Sequence, residues 1–274
     1  MKKVMSVVAL SVCFTFGVNL NASEGTSTTQ EVKQQSGNVI NLAGKQRMLT
    51  QKMSKEALFV AKGIDTEVNK ENLNKTVALF DKTLNGLIVG DMELGLPKTE
   101  NPEIVAQLTV VKELWVPFKN SIQKGDLKAI SKQNIPLLKN MNKAVQMYAK
   151  ASGSKLDPAM AQTINLAGRQ RMLTQKMTKE LLLAANGIDT DANKANAKKT
   201  FELFKTTLND LISKAPNDDI KAQLNVVKSI MEEYQPIIEN GDTSDNALKK
   251  AEELNMKLLK ESNKAVQMYT ASIK

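Results

Sequence analysis

The sequence predicts an all-α protein built as two tandem up-down four-helix bundles. Three observations lead there. The composition leans on Ala, Leu, Lys, Asn, Gln and Met, with aromatics at 4% and seven prolines; most of these residues lose little freedom in a helix. Apolar positions recur with helical period over long segments punctuated by Gly, Asp and Pro. The chain also repeats itself: INLAGKQRMLTQKM at 40–53 returns as INLAGRQRMLTQKM at 164–177, with Lys45 to Arg169 the one change.

In chain order, Lys2 and Lys3 precede an apolar run at 4–18 that is short for a membrane span, and the chain then turns polar toward small Ala22 and Ser23. This reads as a signal peptide over 1–22, cleaved near Ala22, with an uncleaved anchor as the alternative. No later stretch is apolar enough to span a bilayer, so the expected mature chain is soluble and periplasmic.

The first helix is predicted over 29–62, with Gly63 as its stop and Asp65 or Thr66 as N-cap of the next. The second runs to about 88 and the third over 102–124, ended by Gly125 and Asp126. The fourth follows over 127–152. Short loops favour antiparallel neighbours. GSKLDP at 153–158 joins the copies, and the pattern starts again. Residues 62–88 match 186–212, residues 106–118 match 222–234, and NKAVQMY occurs at 142–148 and 263–269. Two loop changes explain the drift in offset: a longer loop over 90–101 in the first copy and added residues over 243–247 in the second. The expected domains are 29–153 and 157–274.

Several functions are excluded by composition. The one cysteine, Cys13, falls in the leader, and the chain has no histidine. Thiol chemistry, Cys–His nucleophiles and ordinary zinc or haem sites therefore drop out. No catalytic motif remains, so neither an enzyme nor a cofactor or metal is expected. The formal charge is +9, but the lysines are interleaved with acids, aromatics are few and the chain is exported, which argues against nucleic acid. Met48, Met53, Met172 and Met177 recur at helical spacing, and core packing accounts for them better than copper does.

On a helix, Val39, Leu42, Leu49, Met53, Ala57 and Val60 fall on one stripe, the expected bundle core. Ile40, Gly44, Arg47, Gln51 and Leu58 form a second, repeated as Ile164, Gly168, Arg171, Gln175 and Leu182. Gly44 and Gly168 each cost about 1 kcal/mol against Ala in a helix interior, so close approach by a backbone or ligand is expected there. The guanidinium three residues on borders the notch with five donors, and Gln51 and Gln175 add amides on the same side. The chain has only three arginines, Arg47, Arg169 and Arg171, all within the two boxes, while lysine supplies every other basic side chain. Arginine in such a background points to recognition of a flat oxyanion. The plainer alternative is that the arginines form salt bridges holding the bundles together.

The box resembles the signature of PilJ/NarX-like sensor domains, four-helix periplasmic domains of pilus chemotaxis transducers and nitrate/nitrite sensor kinases. The family motif, approximately Asn-x-Ala-Gly-x-x-Arg-Met, is met by Asn41, Ala43, Gly44, Arg47 and Met48, and again by Asn165, Ala167, Gly168, Arg171 and Met172. The resemblance covers nearly all of the mature chain. It implies that Arg47 and Arg171 clamp one anion across a two-fold axis, nitrate or nitrite being favoured, with Asn41 and Asn165 beside them. The tandem is then a pseudo-dimer within one chain, or one half of a homodimer. Two departures stand out. Receptors of the family carry membrane helices and an output domain, so this chain is expected to need a membrane receptor or sensor kinase as partner. Sensor kinases also place an arginine five positions after the motif arginine, where this chain has Lys52 and Lys176.

The competing expectation is a helical envelope interaction or structural protein with no small ligand. In NKAVQMY, packing is the expected role of Asn142, Tyr148, Asn263 and Tyr269; contact with the anion is the alternative.

Overall fold

The computed structural model describes residues 24–273. The expected leader, with Cys13 and the expected cleavage position near Ala22, lies outside the described residues. Among those described there are eight α-helices: α1 (Glu24–Lys62), α2 (Thr66–Val89), α3 (Pro102–Lys124), α4 (Leu127–Ala151), α5 (Pro158–Ala185), α6 (Thr190–Ser213), α7 (Asp218–Asn240) and α8 (Asp245–Ala271). A short 3-10 turn, Ser152–Ser154, leads from α4 toward α5.

Local chemistry sets most helix ends. Asn101 accepts hydrogen bonds from the Glu103 and Ile104 amides ahead of α3, with Pro102 at the first helical position. Asp126, Asp157, Asn217 and Ser244 cap α4, α5, α7 and α8 in the same way. Gly125 and Gly241 end α3 and α7 at φ of 66° and 59°, the left-handed region that glycine enters at little cost. The turn before α2 departs from expectation. Asp65 occupies the N-cap position, but with φ 42° and no side-chain cap bond, and Asp189 repeats this before α6. A capping side chain reaches the first-turn amides from extended backbone, which Asp65 does not have. The turn is held from the other side: Asn69 Nδ2 donates to the Ile64 carbonyl at 3.2 Å, and Asn193 Nδ2 to that of Ile188 at 2.8 Å.

In each half the helices form a square, with the first packed on the second and fourth and the third closing the far corner. In the first half Trp115 lies between Phe80 and Phe118, ring centroids 4.4 and 6.0 Å away. The halves join through α1 and α5, which lie side by side and parallel. Asn41 and Gly44 meet Arg171 at one level, and Leu58 meets Asn186 further along.

This contact changes the reading of the two stripes. Leu49, Met53 and Ala57 are buried, but Val39, Leu42 and Val60 are only half-buried. Ile40, Arg47, Gln51 and Leu58 are buried as deeply as the core stripe. From residue 43 to 59 only Lys45 and Lys52 retain partial exposure. A helix enclosed on nearly all sides has no single core face, so the stripe assignment held only near its middle.

Candidate functional site

The two boxes meet at the centre of the α1–α5 contact. Arg47 and Arg171 are each 1% exposed and are the largest fully buried side chains among the described residues. Their bonding is reciprocal. Arg47 donates through Nη1 to Asn142 Oδ1 at 2.8 Å and through Nη2 to the Asn165 carbonyl at 3.1 Å. Arg171 donates to Asn263 Oδ1 at 2.9 Å and to the Asn41 carbonyl at 3.1 Å. Each guanidinium thus reaches α4 or α8 of its own half and the box helix of the other. Three of its five N–H groups have no protein acceptor in these bonds, and the buried Nε of each is one of them.

The glycines make room for this. A methyl group on Gly44 would sit 3.3 Å from Arg47 Nη2 and 3.8 Å from Arg171 Nη2; on Gly168 the corresponding distances are 3.4 and 3.7 Å. Both Nη2 atoms therefore border the same notch from both sides. Replacing Gly44 with Ala asks the guanidinium ends to shift by tenths of an ångström while adding about 1 kcal/mol of helix propensity. Denaturant unfolding of Gly44→Ala should accordingly show stability unchanged or up to about 1 kcal/mol higher; a loss above about 2 kcal/mol would mean that the notch is rigid.

Electrostatically the site is unusual. Among the described residues neither arginine has a carboxylate within ion-pair distance. Burial lowers the Arg47 pKa to about 9, with the Arg171 and Arg169 charges adding to the effect, and burial lowers that of Arg171 to about 10. Both remain cations at neutral pH. The salt bridges allowed as the plain alternative do not form; neutral amides and main-chain carbonyls take their place. The side-chain oxygens of Asn41 and Asn165 are buried nearby without hydrogen-bond partners.

A second polar layer lies one to two turns further along. Gln51 Nε2 donates to Asn134 Oδ1 at 2.8 Å, and Asn134 Oδ1 also receives Lys179 Nζ from the other half at 3.0 Å. The mirror set is Gln175 to Asn255 at 2.8 Å and Lys55 to Asn255 at 3.0 Å. Gln51 and Gln175 therefore face this layer through their donors. Lys52 and Lys176 are engaged by Glu56 and Glu180 and by Thr76 and Thr200. The NKAVQMY residues divide: Asn142 and Asn263 hold the arginines, while Tyr148 and Tyr269 donate to the Leu87 and Leu211 carbonyls at the ends of α2 and α6.

Sequence reasoning missed Asn134, Asn255, Lys55 and Lys179. A signal was present, because α4 and α8 each carry an asparagine eight residues before the one that holds the arginine, on a largely apolar face in α4.

Comparison with known proteins fits this duplication. The family model described as PilJ, type IV pili methyl-accepting chemotaxis transducer N-term, matches residues 29–144 and again 158–261. The methyl-accepting chemotaxis protein McpN of Pseudomonas aeruginosa is 28% identical over 152 residues, covering 53% of this chain. The match spans only 28% of that relative's length. No solved structure matches the chain significantly.

Proposed function

The chain belongs to the family of type IV pili methyl-accepting chemotaxis transducer N-terminal domains, and from that premise we propose that it is a periplasmic sensor-like module binding one small planar oxyanion, nitrate or nitrite favoured, between Arg47 and Arg171. One observation carries the reading: two buried guanidiniums border a common glycine-lined notch, with no carboxylate among the described residues within ion-pair distance of either. Two like charges held there repel and have lost solvent, and a bound anion relieves both costs. A flat trigonal oxyanion matches the guanidinium forks, and Asn41 and Asn165 can turn an amide N–H toward it. Charge-assisted bonds of about 1.5–3 kcal/mol each place the expected affinity in the roughly micromolar range, about −8 kcal/mol.

Among the described residues no helix is long and apolar enough to cross a membrane. Relationship to a chemotaxis transducer makes a membrane receptor the natural partner to report the bound state. Ligand would act on the α1–α5 contact, shifting its packing in proportion to its differential affinity.

Calorimetry of the mature chain with nitrate, nitrite and small carboxylates tests this. The expected result is one anion per chain, lost in Arg47→Lys and in Arg171→Lys, because a lysine keeps the charge but not the fork. Gly44→Ala should weaken binding at least about tenfold, about 1.4 kcal/mol, while leaving the fold intact. A second reading rests on the bonds from each arginine to a main-chain carbonyl of the other half, which make the pair a helix interlock. Absence of anion binding, with Arg47→Lys lowering only stability, would favour the interlock.

A further inference from the structure

Two clefts flank the α1–α5 contact and are equivalent under the duplication. One, of about 600 Å³, lies between α4 of the first half and α5 and α6 of the second. The other, of about 460 Å³, lies between α8 of the second half and α1 and α2 of the first. Lys179, Asn134 and Lys176 in the larger cleft correspond to Lys55, Asn255 and Lys52 in the smaller. Neither cleft includes Arg47, Arg171 or the glycine notch.

The larger cleft combines a buried cation with apolar walls. Lys179 is 6% exposed; its ammonium donates to Asn134 at 3.0 Å and has no ion-pair partner among the described residues. Glu180 is the one acid lining this cleft, and Lys176 and Thr200 engage it. Leu138, Met172 and Leu203 supply hydrocarbon, and Ile135 stands 66% exposed on the lining. An ammonium that deep favours an anionic head group, and the walls favour a nonpolar remainder. With no free acid in the lining, a ligand that also bears an ammonium is disfavoured.

The smaller cleft differs at one telling position. Where the first has Ser131, one turn before Asn134, the second has Glu252, one turn before Asn255. Glu252 is buried and lines this cleft together with Lys55. We propose that the α4/α5/α6 cleft binds a small carboxylate with an apolar body, its head group on Lys179 and its hydrocarbon along Leu138, Met172 and Leu203. Glu252 closes the equivalent cleft by serving there as a resident counter-ion.

Octanoate titrated calorimetrically into the full chain at neutral pH tests the proposal. One site is expected, weakened at least about tenfold by Lys179→Met and by Ser131→Glu, which copies the closed cleft. Position 131 is only half-buried, so that second variant reports even if Lys179→Met does not fold. Glu252→Ser should open a second site and raise the stoichiometry toward two. Excess nitrate should leave octanoate binding unchanged, which separates this site from the arginine notch. Absence of octanoate binding, undiminished affinity in Ser131→Glu, or an unchanged stoichiometry in Glu252→Ser would overturn it.

Discussion

Asn134→Ala is expected to cost about 3–5 kcal/mol of folding stability, and Asn255→Ala about as much. Asn134 is fully buried; its Nδ2 donates to the Thr50 carbonyl at 2.9 Å, and its Oδ1 accepts from both Gln51 and Lys179. Alanine removes all three bonds, and Lys179 is left as a buried ammonium with no acceptor. Hydrogen bonds to charged groups contribute about 1.5–3 kcal/mol, and the vacated volume adds to the loss. For a chain of this size that corresponds to a midpoint lowered by roughly 10 °C. The two asparagines serve separate networks, so the double variant should lose nearly the sum. Urea unfolding of the three variants decides it. A loss below about 1 kcal/mol would mean that Lys179 finds solvent without Asn134.

Raising the pH from 7 to 10 should stabilise the protein, the reverse of the usual alkaline trend. Burial lowers the pKa of Lys55 and of Lys179 to about 8, against an ordinary value of 10.5. Between those values the unfolded chain binds more protons than the folded one, so stability rises with pH. The cost of burying each charge is fully present below pH 8 and is progressively relieved up to about 10.5, with a gain on the order of 3 kcal/mol per lysine. Above that range Tyr148 and Tyr269, whose pKa values burial raises to about 12, begin to oppose it. Their folded pKa values lie above the unfolded one, so their contribution fades as pH climbs through 10 to 12. Denaturant titrations at pH 7, 8, 9 and 10 should show the rise, to which Arg47, with its pKa lowered to about 9, adds a smaller share, and Lys55→Met or Lys179→Met should each remove about a third of it. A flat profile in the parent protein would show that both ammonium groups are solvated.

Much of the fold could be read from the residues. Gly63, Gly125, Pro102, Pro158 and the capping Asp and Asn residues mark boundaries through local chemistry, which needs no tertiary information. The exception was Asp65, where a left-handed backbone removed the cap and an asparagine four residues on replaced it. The arginine–glycine pairing was legible because both belong to one helix face. The partners of Arg47 were harder to find. Asn142 sits three helices away, and the Asn165 carbonyl belongs to the other half, so neither follows from periodicity. Lys55 and Lys179 were missed for a related reason. A lysine among other lysines looks solvated until a second helix is laid over it, and only the α1–α5 contact does that.

The short join from α4 to α5 has one more consequence. Were the halves separate copies of a single product, every substitution would appear on both sides of the contact at once. Tandem coding frees each side to change alone, so the first half can carry serine at 131 where the second carries glutamate at 252. The tether also holds each half near its mate at an effective concentration in the millimolar range or above. Dilution therefore does not undo the pairing, and one chain can carry two clefts that differ at this position.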